Sequence, residues 1–136
     1  MTSFPLKIVT PDGLIFDGMA EKVIVRTTEG DMAVLARHIN CVCPLGMGRA
    51  VIEADGQRRT AACIGGMLSV TDGVVSLVPT TFEWAEDIDL ARAEVAHKRA
   101  LELLEQKKAD KAEINLAEAK LRRALIRKSV AQQAKN

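Results

Sequence analysis

Residues 74–99 are VVSLVPTTFEWAEDIDLARAEVAHKR, and this stretch divides the chain into two parts of different composition. All nine glycines and all four prolines lie at or before Pro79, and neither residue type occurs from Thr80 to Asn136. Glycine and proline are common in turns and unfavourable inside helices. The part before the break therefore predicts short strands joined by turns, and the part after it predicts uninterrupted helices.

The first part consists of short apolar runs separated by turn residues. The turn candidates are Pro11-Asp12-Gly13, Asp17-Gly18, Asp55-Gly56, Gly65-Gly66 and Asp72-Gly73. In residues 22–27, Val23 and Val25 alternate with polar neighbours, which is the period of a half-buried strand. About ten short strands at close spacing, with no helix-length pattern between them, favour antiparallel pairing. We predict an N-terminal antiparallel ten-stranded β-sandwich over residues 1–84.

The second part has apolar residues at helical spacing and predicts an αα-hairpin over residues 85–136. Asp87 is predicted to cap the first helix, and Asp110 with Glu113 has the spacing of a capping box for the second. Polar residues 106–110 separate two helices of roughly 18 residues each. The predicted apolar stripes are Ile88, Ala91, Val95 and Leu101–Leu104 on the first helix, and Ile114, Ala117, Leu121, Ala124 and Leu125 on the second.

The two predicted helices are rich in alanine. The alanines are Ala91, Ala93, Ala96 and Ala100 on the first helix, and Ala112, Ala117, Ala119 and Ala124 on the second. Small side chains let two helices approach closely, but each buries little apolar surface at ~0.8 kcal/mol per CH₂. The hairpin is then stabilised mainly by the helix propensity of its residues. We expect it to bind other surfaces only weakly, so that it can dissociate from them.

Charge is sorted along the second part of the chain. Residues 83–89 carry four acids and no base, whereas residues 119–136 carry six bases and no acid. Cations near a helix C-terminus complement the helix dipole, worth ~0.3–1 kcal/mol each. The alternative is an acidic partner or a phosphate ligand, because six bases exceed what a dipole needs.

Composition excludes several classes of protein. A formal net charge of +1 and only four aromatic residues disfavour a nucleic-acid surface. No apolar run reaches the ~18 residues of a membrane helix, so direct membrane insertion is not expected. Three cysteines, an odd number in a chain of this length, favour a reducing cytosol over a disulfide framework.

Metal and catalytic sites are not expected either. His38, Cys41, Cys43 and Cys63 were considered as ligands, but Cys41-x-Cys43 lacks the usual zinc spacing and core packing is the simpler interpretation. The chain contains no phosphate-binding glycine loop and no nucleophile motif. We therefore predict a protein without a catalytic set.

Five sequence blocks, in this order and spacing, identify a resemblance. They are KIVTPDGLIFDG, VIVRTTEGDMAVL, CVCPLGMG, IGGMLSV and AEDIDLARAEVAHKRA. Over its whole length the chain resembles the epsilon subunits of bacterial F-type ATP synthase. It departs from the family pattern at Ala33 and at residues 36–40, where the family usually has a sequence close to G-I-L-P-G-H-x-P.

The resemblance implies a non-catalytic rotor subunit that requires no cofactor. The sandwich would bind the gamma subunit and the c-ring, at the cytoplasmic face of the bacterial cell membrane, and the subunit would couple proton flow to catalysis in the alpha/beta head. The hairpin would extend into this head and inhibit ATP hydrolysis. The residues implied to contact the beta subunit are Arg122, Arg123, Arg127 and Lys128.

Some members of this family bind ATP, as a regulatory ligand, on the folded hairpin through the motif I/L-D-x-x-R-A. Here the motif is complete as Ile88-Asp89-Leu90-Ala91-Arg92-Ala93. The other matching positions are Glu83, Arg99, Arg123 and Arg127, the last two after a one-residue insertion between the helices. Guanidinium groups suit phosphate oxygens. The alternative is that these residues only start and pack the helices.

Two other functions remain open at this stage. The chain could be a stand-alone ATP-sensing or interaction module without an inhibitory role. It could also be a nucleic-acid-binding coiled coil that uses the basic C-terminal segment, in which case its DNA affinity would depend strongly on salt.

Overall fold

The computed structural model of the chain describes residues 2–105 and 111–135. It contains two compact units, Met1–Trp84 and Ala85–Asn136. The first unit is all β-structure and the second is helical.

Ten strands build the first unit, as predicted. They are β1 (Phe4–Thr10), β2 (Gly13–Ala20), β3 (Lys22–Thr27), β4 (Gly30–Val34), β5 (Cys41–Pro44), β6 (Met47–Ala54), β7 (Gln57–Ile64), β8 (Met67–Thr71), β9 (Val74–Val78) and β10 (Thr81–Trp84). They form two five-stranded sheets, in the orders β2-β1-β9-β8-β5 and β10-β7-β6-β3-β4. Neighbouring strands are antiparallel except β1 and β9, which pair in parallel.

The core of the sandwich comes from alternate residues on both sheets. Phe4, Leu6 and Ile8 of β1 are buried, and so are Val23 and Val25 of β3. The predicted face of β3 is therefore confirmed. Alternation places these side chains on one side of each sheet, where their burial provides most of the stability of the sandwich.

Two of the predicted turns are tight hairpin turns with left-handed backbone. Asp55 and Gly56 have φ values of 53° and 72°, and Asp72 and Gly73 have values of 50° and 82°. These values match the type I′ turn that suits the twist of paired strands. The predicted turn at Asp17-Gly18 is wrong, because both residues lie within β2 and pair with β1.

The sandwich continues beyond the last proline. Strand β10 pairs with β7 and ends at Trp84, whose ring meets Phe82 edge-on at a centroid distance of 4.9 Å. The guanidinium of Arg59 lies 3.7 Å from the centre of the Trp84 ring. These aromatic and cation–π contacts stabilise β10, the strand that follows the last proline of the chain.

The loop in which the chain departs from the family pattern has an unusual backbone. Arg37 has a φ of 67°, in the region that glycine adopts without steric cost. The side-chain oxygen of Asn40 accepts a hydrogen bond of 2.9 Å from the backbone N–H of Asp72. The turn geometry that glycine would favour is thus retained with arginine in place.

In the second unit, a 3₁₀ turn (Ala85–Asp87) precedes helix α1 (Leu90–Glu105), and helix α2 spans Lys111–Lys135. The prediction that Asp87 caps α1 is wrong, since Asp87 lies in the 3₁₀ turn. The predicted capping residue of α2, Asp110, lies outside the described residues. Helix α2 has 25 residues and is longer than predicted.

Alanines form most of the buried face of the hairpin, together with Val130, and the predicted burial of Ala117 and Ala124 is confirmed. Ala93 and Ala100 of α1 are buried, as are Ala117, Ala124 and Ala131 of α2. Several predicted stripe residues are instead exposed, namely Ala91, Val95, Leu101, Leu103, Ile114 and Leu125. The buried alanines recur every seven residues on each helix, so they form one narrow seam between the helices, which we call the alanine seam.

Candidate functional site

The motif at the start of α1 begins with a helix cap. The Oδ1 atom of Asp89 accepts a hydrogen bond of 3.1 Å from the backbone N–H of Arg92. Its carbonyl oxygen accepts the N–H of Ala93 at 3.0 Å. Asp89 thereby satisfies a backbone donor that would otherwise lack an intrahelical partner.

The last motif residue, Ala93, lies in the alanine seam and is 5% exposed. Ile88 is half-buried just before the helix, and its N–H donates to the carbonyl of Ala85. Arg92 is exposed on the first turn of α1. Both Asp89 and Ala93 therefore have structural roles that need no ligand, which is the alternative that the sequence left open.

A pocket lies between α1 and α2, one to three turns further along α1. Its volume is about 300 Å³. The lining residues are Ala96, Arg99, Ala100 and Leu103 from α1 and Lys120, Arg123, Ala124 and Arg127 from α2. Alanines of the seam leave space between the helices, and four basic side chains border this space.

The structure brings together three of the predicted ATP-site residues. Arg99, Arg123 and Arg127 all line this pocket, whereas Arg92, two turns before Arg99, is absent from its described lining. Glu83 is half-buried on β10, opposite Ala62, in the other unit. The described lining of the pocket includes neither Glu83 nor the residues of the motif.

Lys120 is a pocket residue that the sequence reasoning missed. It lies three residues before Arg123 and seven before Arg127, so all three share one face of α2. The i, i+3, i+7 spacing of these three bases is present in the sequence. Lys120 is not part of the family motif, however, so the sequence analysis includes it only among the six bases of residues 119–136.

The four residues predicted to contact the beta subunit differ in exposure. Arg122 is exposed, whereas Arg123, Arg127 and Lys128 are half-buried. Arg123 and Arg127 border the pocket, so two of the four bases lie at the pocket when the hairpin is folded.

The cysteines are free, and their environments differ. Burial raises the pKa of the Cys63 thiol from its ordinary value of 9.0 to about 12, so this thiol stays protonated and inert. Partial burial and then the neighbouring Cys43 raise the pKa of Cys41. In residues 2–105 and 111–135, no group of three or more His, Cys, Asp or Glu side chains is arranged to hold a metal ion.

No helix in the described part of the chain is both long enough and apolar enough to span a membrane.

Two family models match successive parts of the chain. The first, described as "ATP synthase, Delta/Epsilon chain, beta-sandwich domain", matches residues 3–85. The second, "ATP synthase, Delta/Epsilon chain, long alpha-helix domain", matches residues 86–132.

Curated bacterial relatives are similar over nearly the full length. The ATP synthase epsilon chain of Caldanaerobacter subterraneus subsp. tengcongensis is 40% identical over 130 residues, with 95% of this chain and 94% of the relative covered. The ATP synthase epsilon chain of Bacillus velezensis is 41% identical over 131 residues, with 96% and 98% covered.

Solved structures show the same architecture. A chain in the Euglena gracilis mitochondrial ATP synthase (OSCP/F1/c-ring, rotational state 1) has a TM-score of 0.82 and 25% identity, covering 99% of this chain and 82% of its own length. A chain in the Tetrahymena thermophila mitochondrial ATP synthase central stalk and c-ring has a TM-score of 0.63 at 14% identity, covering 93% and 95%, and supports the fold alone.

Proposed function

The chain belongs to the epsilon-chain family of ATP synthase, and from this premise we propose that it is a non-catalytic rotor subunit of the bacterial enzyme. In this role it couples proton transport to ATP synthesis and requires no cofactor of its own. Its helical hairpin inhibits ATP hydrolysis, and ATP bound to the folded hairpin opposes this inhibition.

We assign a partner class to each of the two units. The sandwich, residues 1–84, would bind the gamma subunit and the c-ring, and the hairpin, residues 85–136, would act on the alpha/beta head. The similar Euglena gracilis chain comes from an assembly that contains F1 and a c-ring, which supports this assignment. The subunit would then be peripheral, on the cytoplasmic face of the cell membrane.

The pocket between α1 and α2 is the observation that carries the proposal of ATP binding. Arg99, Arg123 and Arg127 border it together with Lys120. Four cations around a single pocket attract a triphosphate, whose oxygens accept hydrogen bonds from the guanidinium groups. Side chains can therefore bind phosphate here without a glycine-rich loop.

The same bases would serve inhibition in a different conformation. Arg123 and Arg127 line the pocket only while α1 and α2 lie side by side. If the hairpin opens, these guanidinium groups become available to acidic residues of the beta subunit, together with Arg122 and Lys128. ATP and the beta subunit would then compete for the same two arginines.

The free energy that bound ATP would contribute is large enough to shift an equilibrium between a folded and an open hairpin of similar stability. A ligand at ~100 times its Kd stabilises the state that binds it by ~2.7 kcal/mol. The alanine seam buries few methylene groups, so the helix pair is stabilised weakly by burial. A few kcal/mol are enough to shift such an equilibrium.

Calorimetric titration of the full chain with ATP tests the site. We expect the Arg123→Ala variant to bind ATP about 10- to 100-fold more weakly, because a hydrogen bond to a charged group is worth ~1.5–3 kcal/mol. Lys120→Ala should weaken binding in the same direction, which would add this residue to the site.

Arg122→Ala is the matched control, since Arg122 is the neighbouring arginine of α2 but is exposed and outside the described pocket lining. Its ATP affinity should stay within roughly threefold of the wild type, the loss expected for a screened surface charge. Equal affinities of the Arg122 and Arg123 variants, or no binding at millimolar ATP, would contradict the proposed site. ATP binding without any effect on the assembled enzyme would favour the stand-alone sensor.

A further inference from the structure

Three sulfur-containing residues lie on the edge strands of the sandwich. Cys41 and Cys43 lie on β5, and Met32 lies on β4. Each of these strands is the last in its sheet, so the three residues come from the edges of two different sheets. We call this group the rim sulfur cluster.

Two of the three sulfur atoms are in contact. The Sγ atom of Cys43 lies 4.0 Å from the Sδ atom of Met32. Cys41 and Cys43 are alternate residues of one strand, so their side chains share a face. All three residues are half-buried.

A disulfide between the two cysteines does not suit this strand. Alternate strand residues are separated by ~6.6–6.8 Å, which is the far limit for the Cα atoms of a disulfide. Both thiols are free in the structure. Core packing, which the sequence analysis favoured, is confirmed for Cys63, which is buried in the core, and for Cys41, which packs against the core together with Met32.

We propose that the rim sulfur cluster binds one Cu(I) ion through the thiolates of Cys41 and Cys43 and the thioether of Met32. Thiolate and thioether ligands select soft ions such as Cu(I). With a metal–sulfur distance of ~2.3 Å, as in zinc–thiolate sites, the sulfur atoms of a trigonal centre lie ~4.0 Å apart. The 4.0 Å separation of the Cys43 and Met32 sulfur atoms in the structure equals this value.

Zinc fits the cluster less well than Cu(I). A structural zinc ion takes four nitrogen, oxygen or sulfur ligands in a tetrahedron and has little affinity for a thioether. The described residues offer no group of three or more His, Cys, Asp or Glu side chains suited to a metal. The Cys-x-Cys spacing that argued against zinc does not argue against an ion that accepts three sulfur ligands.

His38 is a neighbour of the cluster that positions one thiolate. Its Nδ1 atom lies 3.9 Å from the Sγ atom of Cys41 and 2.8 Å from the carbonyl oxygen of Ile39. A carbonyl can only accept, so Nδ1 carries the proton and cannot coordinate a metal. With this proton donated to the carbonyl of Ile39, the imidazole ring is held beside the Cys41 sulfur and packs against it.

Binding of Cu(I) deprotonates the two thiols and leaves the oxidation states of copper and sulfur unchanged. Cu(I) enters as a monovalent cation, two Cu–S bonds replace the two S–H bonds, and the two thiol protons pass to water. The thioether of Met32 donates a lone pair without losing a group. Because β4 and β5 belong to different sheets, the ion would link the two sheet edges.

Anaerobic titration of the full chain with Cu(I), in competition with a chromophoric Cu(I) chelator, tests the proposal. We expect one Cu(I) per chain for the wild type. Cys41→Ser and Cys43→Ser should each weaken binding at least about 100-fold, and Met32→Leu, which keeps the volume of the side chain, about 10-fold. Cys63→Ser is the matched control and should bind Cu(I) as the wild type does, because Cys63 is buried elsewhere.

A measurement on the unaltered protein makes the test independent of how the variants fold. X-ray absorption of the copper-loaded wild type should show sulfur neighbours only, at ~2.3 Å. Its thermal midpoint should rise with Cu(I), since an ion that binds the folded state stabilises it. Nitrogen or oxygen neighbours, or equal Cu(I) affinity of the wild type and the Cys41→Ser/Cys43→Ser double variant, would overturn the proposal.

Discussion

Arg37 shows how a single residue can occupy a glycine position. Its φ of 67° places an L-residue in the left-handed region, which costs ~1–2 kcal/mol relative to glycine. The loop keeps this geometry because it is held nearby by hydrogen bonds, including the one between Asn40 and the β8–β9 turn at Asp72. Arg37 thus adopts a backbone conformation that is typical of glycine.

We expect Arg37→Gly to stabilise the sandwich by about 0.5–1 kcal/mol, since relief of the left-handed strain exceeds the entropy that glycine adds to the unfolded chain. Urea unfolding measures the difference. Arg37→Ala is the control, because alanine removes the side chain but needs the same strained φ. A gain as large for alanine as for glycine would show that the arginine side chain, not the backbone, limits stability.

Asp89 illustrates how far a motif can be interpreted from sequence. The sequence identified Asp89 as part of a ligand motif and assigned the helix cap to Asp87 instead. In the structure Asp89 is the cap, because α1 begins at Leu90. Two aspartates separated by one residue are equally good caps by type, and only the backbone path through the 3₁₀ turn decides between them.

At the scale of elements, the alanine seam defines the hairpin. Ala93 and Ala100 are seven residues apart, and so are Ala124 and Ala131. This equal spacing lets the two pairs face each other across antiparallel helices joined by a short connection. The larger apolar residues Val95, Leu101 and Leu103 remain partly exposed, whereas Val130 of α2 is buried beside the seam residue Ala131.

Enlarging the seam should open the hairpin. We expect Ala100→Leu to destabilise the helix pair by about 1–3 kcal/mol through overpacking, with faster amide exchange in residues 90–105 and 111–135. Ala91→Leu, on the exposed side of α1, is the matched control and should leave the amide exchange rates of both helices at their wild-type values. Exchange that is equally fast in both variants would mean that the seam does not hold the helices together.

The sheet topology also depends on relations between elements. The parallel pair of β1 and β9 joins residues 6–8 to residues 75–77. Local patterns predict each strand and each hairpin turn, but they carry no information on which distant strands become neighbours. The antiparallel hairpins β6–β7 and β8–β9 were predictable, since two-residue turns specify them.

At the scale of the whole molecule, the chain consists of a sandwich with a large core and a hairpin with a thin one. The sandwich buries long side chains such as Leu6, Ile8 and Leu77, whereas the buried face of the hairpin is mostly alanine. The difference in buried apolar area predicts that the hairpin opens far more easily than the sandwich. This asymmetry suits a body that stays bound and an arm that moves.

Deletion of residues 88–136 tests the role of this arm in the assembled ATP synthase. We expect the ATP hydrolysis rate of the complex to rise severalfold, while the truncated subunit, which keeps all ten strands, still assembles. The measurement compares initial hydrolysis rates of complexes with full-length and truncated subunits at equal subunit content. An unchanged rate would refute the inhibitory role and leave the rotor assignment intact.

The sequence by itself determined the two-part architecture, most strand positions, the tight turns and the set of basic residues on the second helix. These features depend on local backbone preference and on periodicity, which are written in consecutive residues. Only the tertiary structure decided that Lys120 joins Arg99, Arg123 and Arg127 around a pocket. It also brought Met32 next to Cys43, across two sheets. Both groupings arise from packing between residues that are distant in sequence, and the pattern of either segment alone does not contain that information.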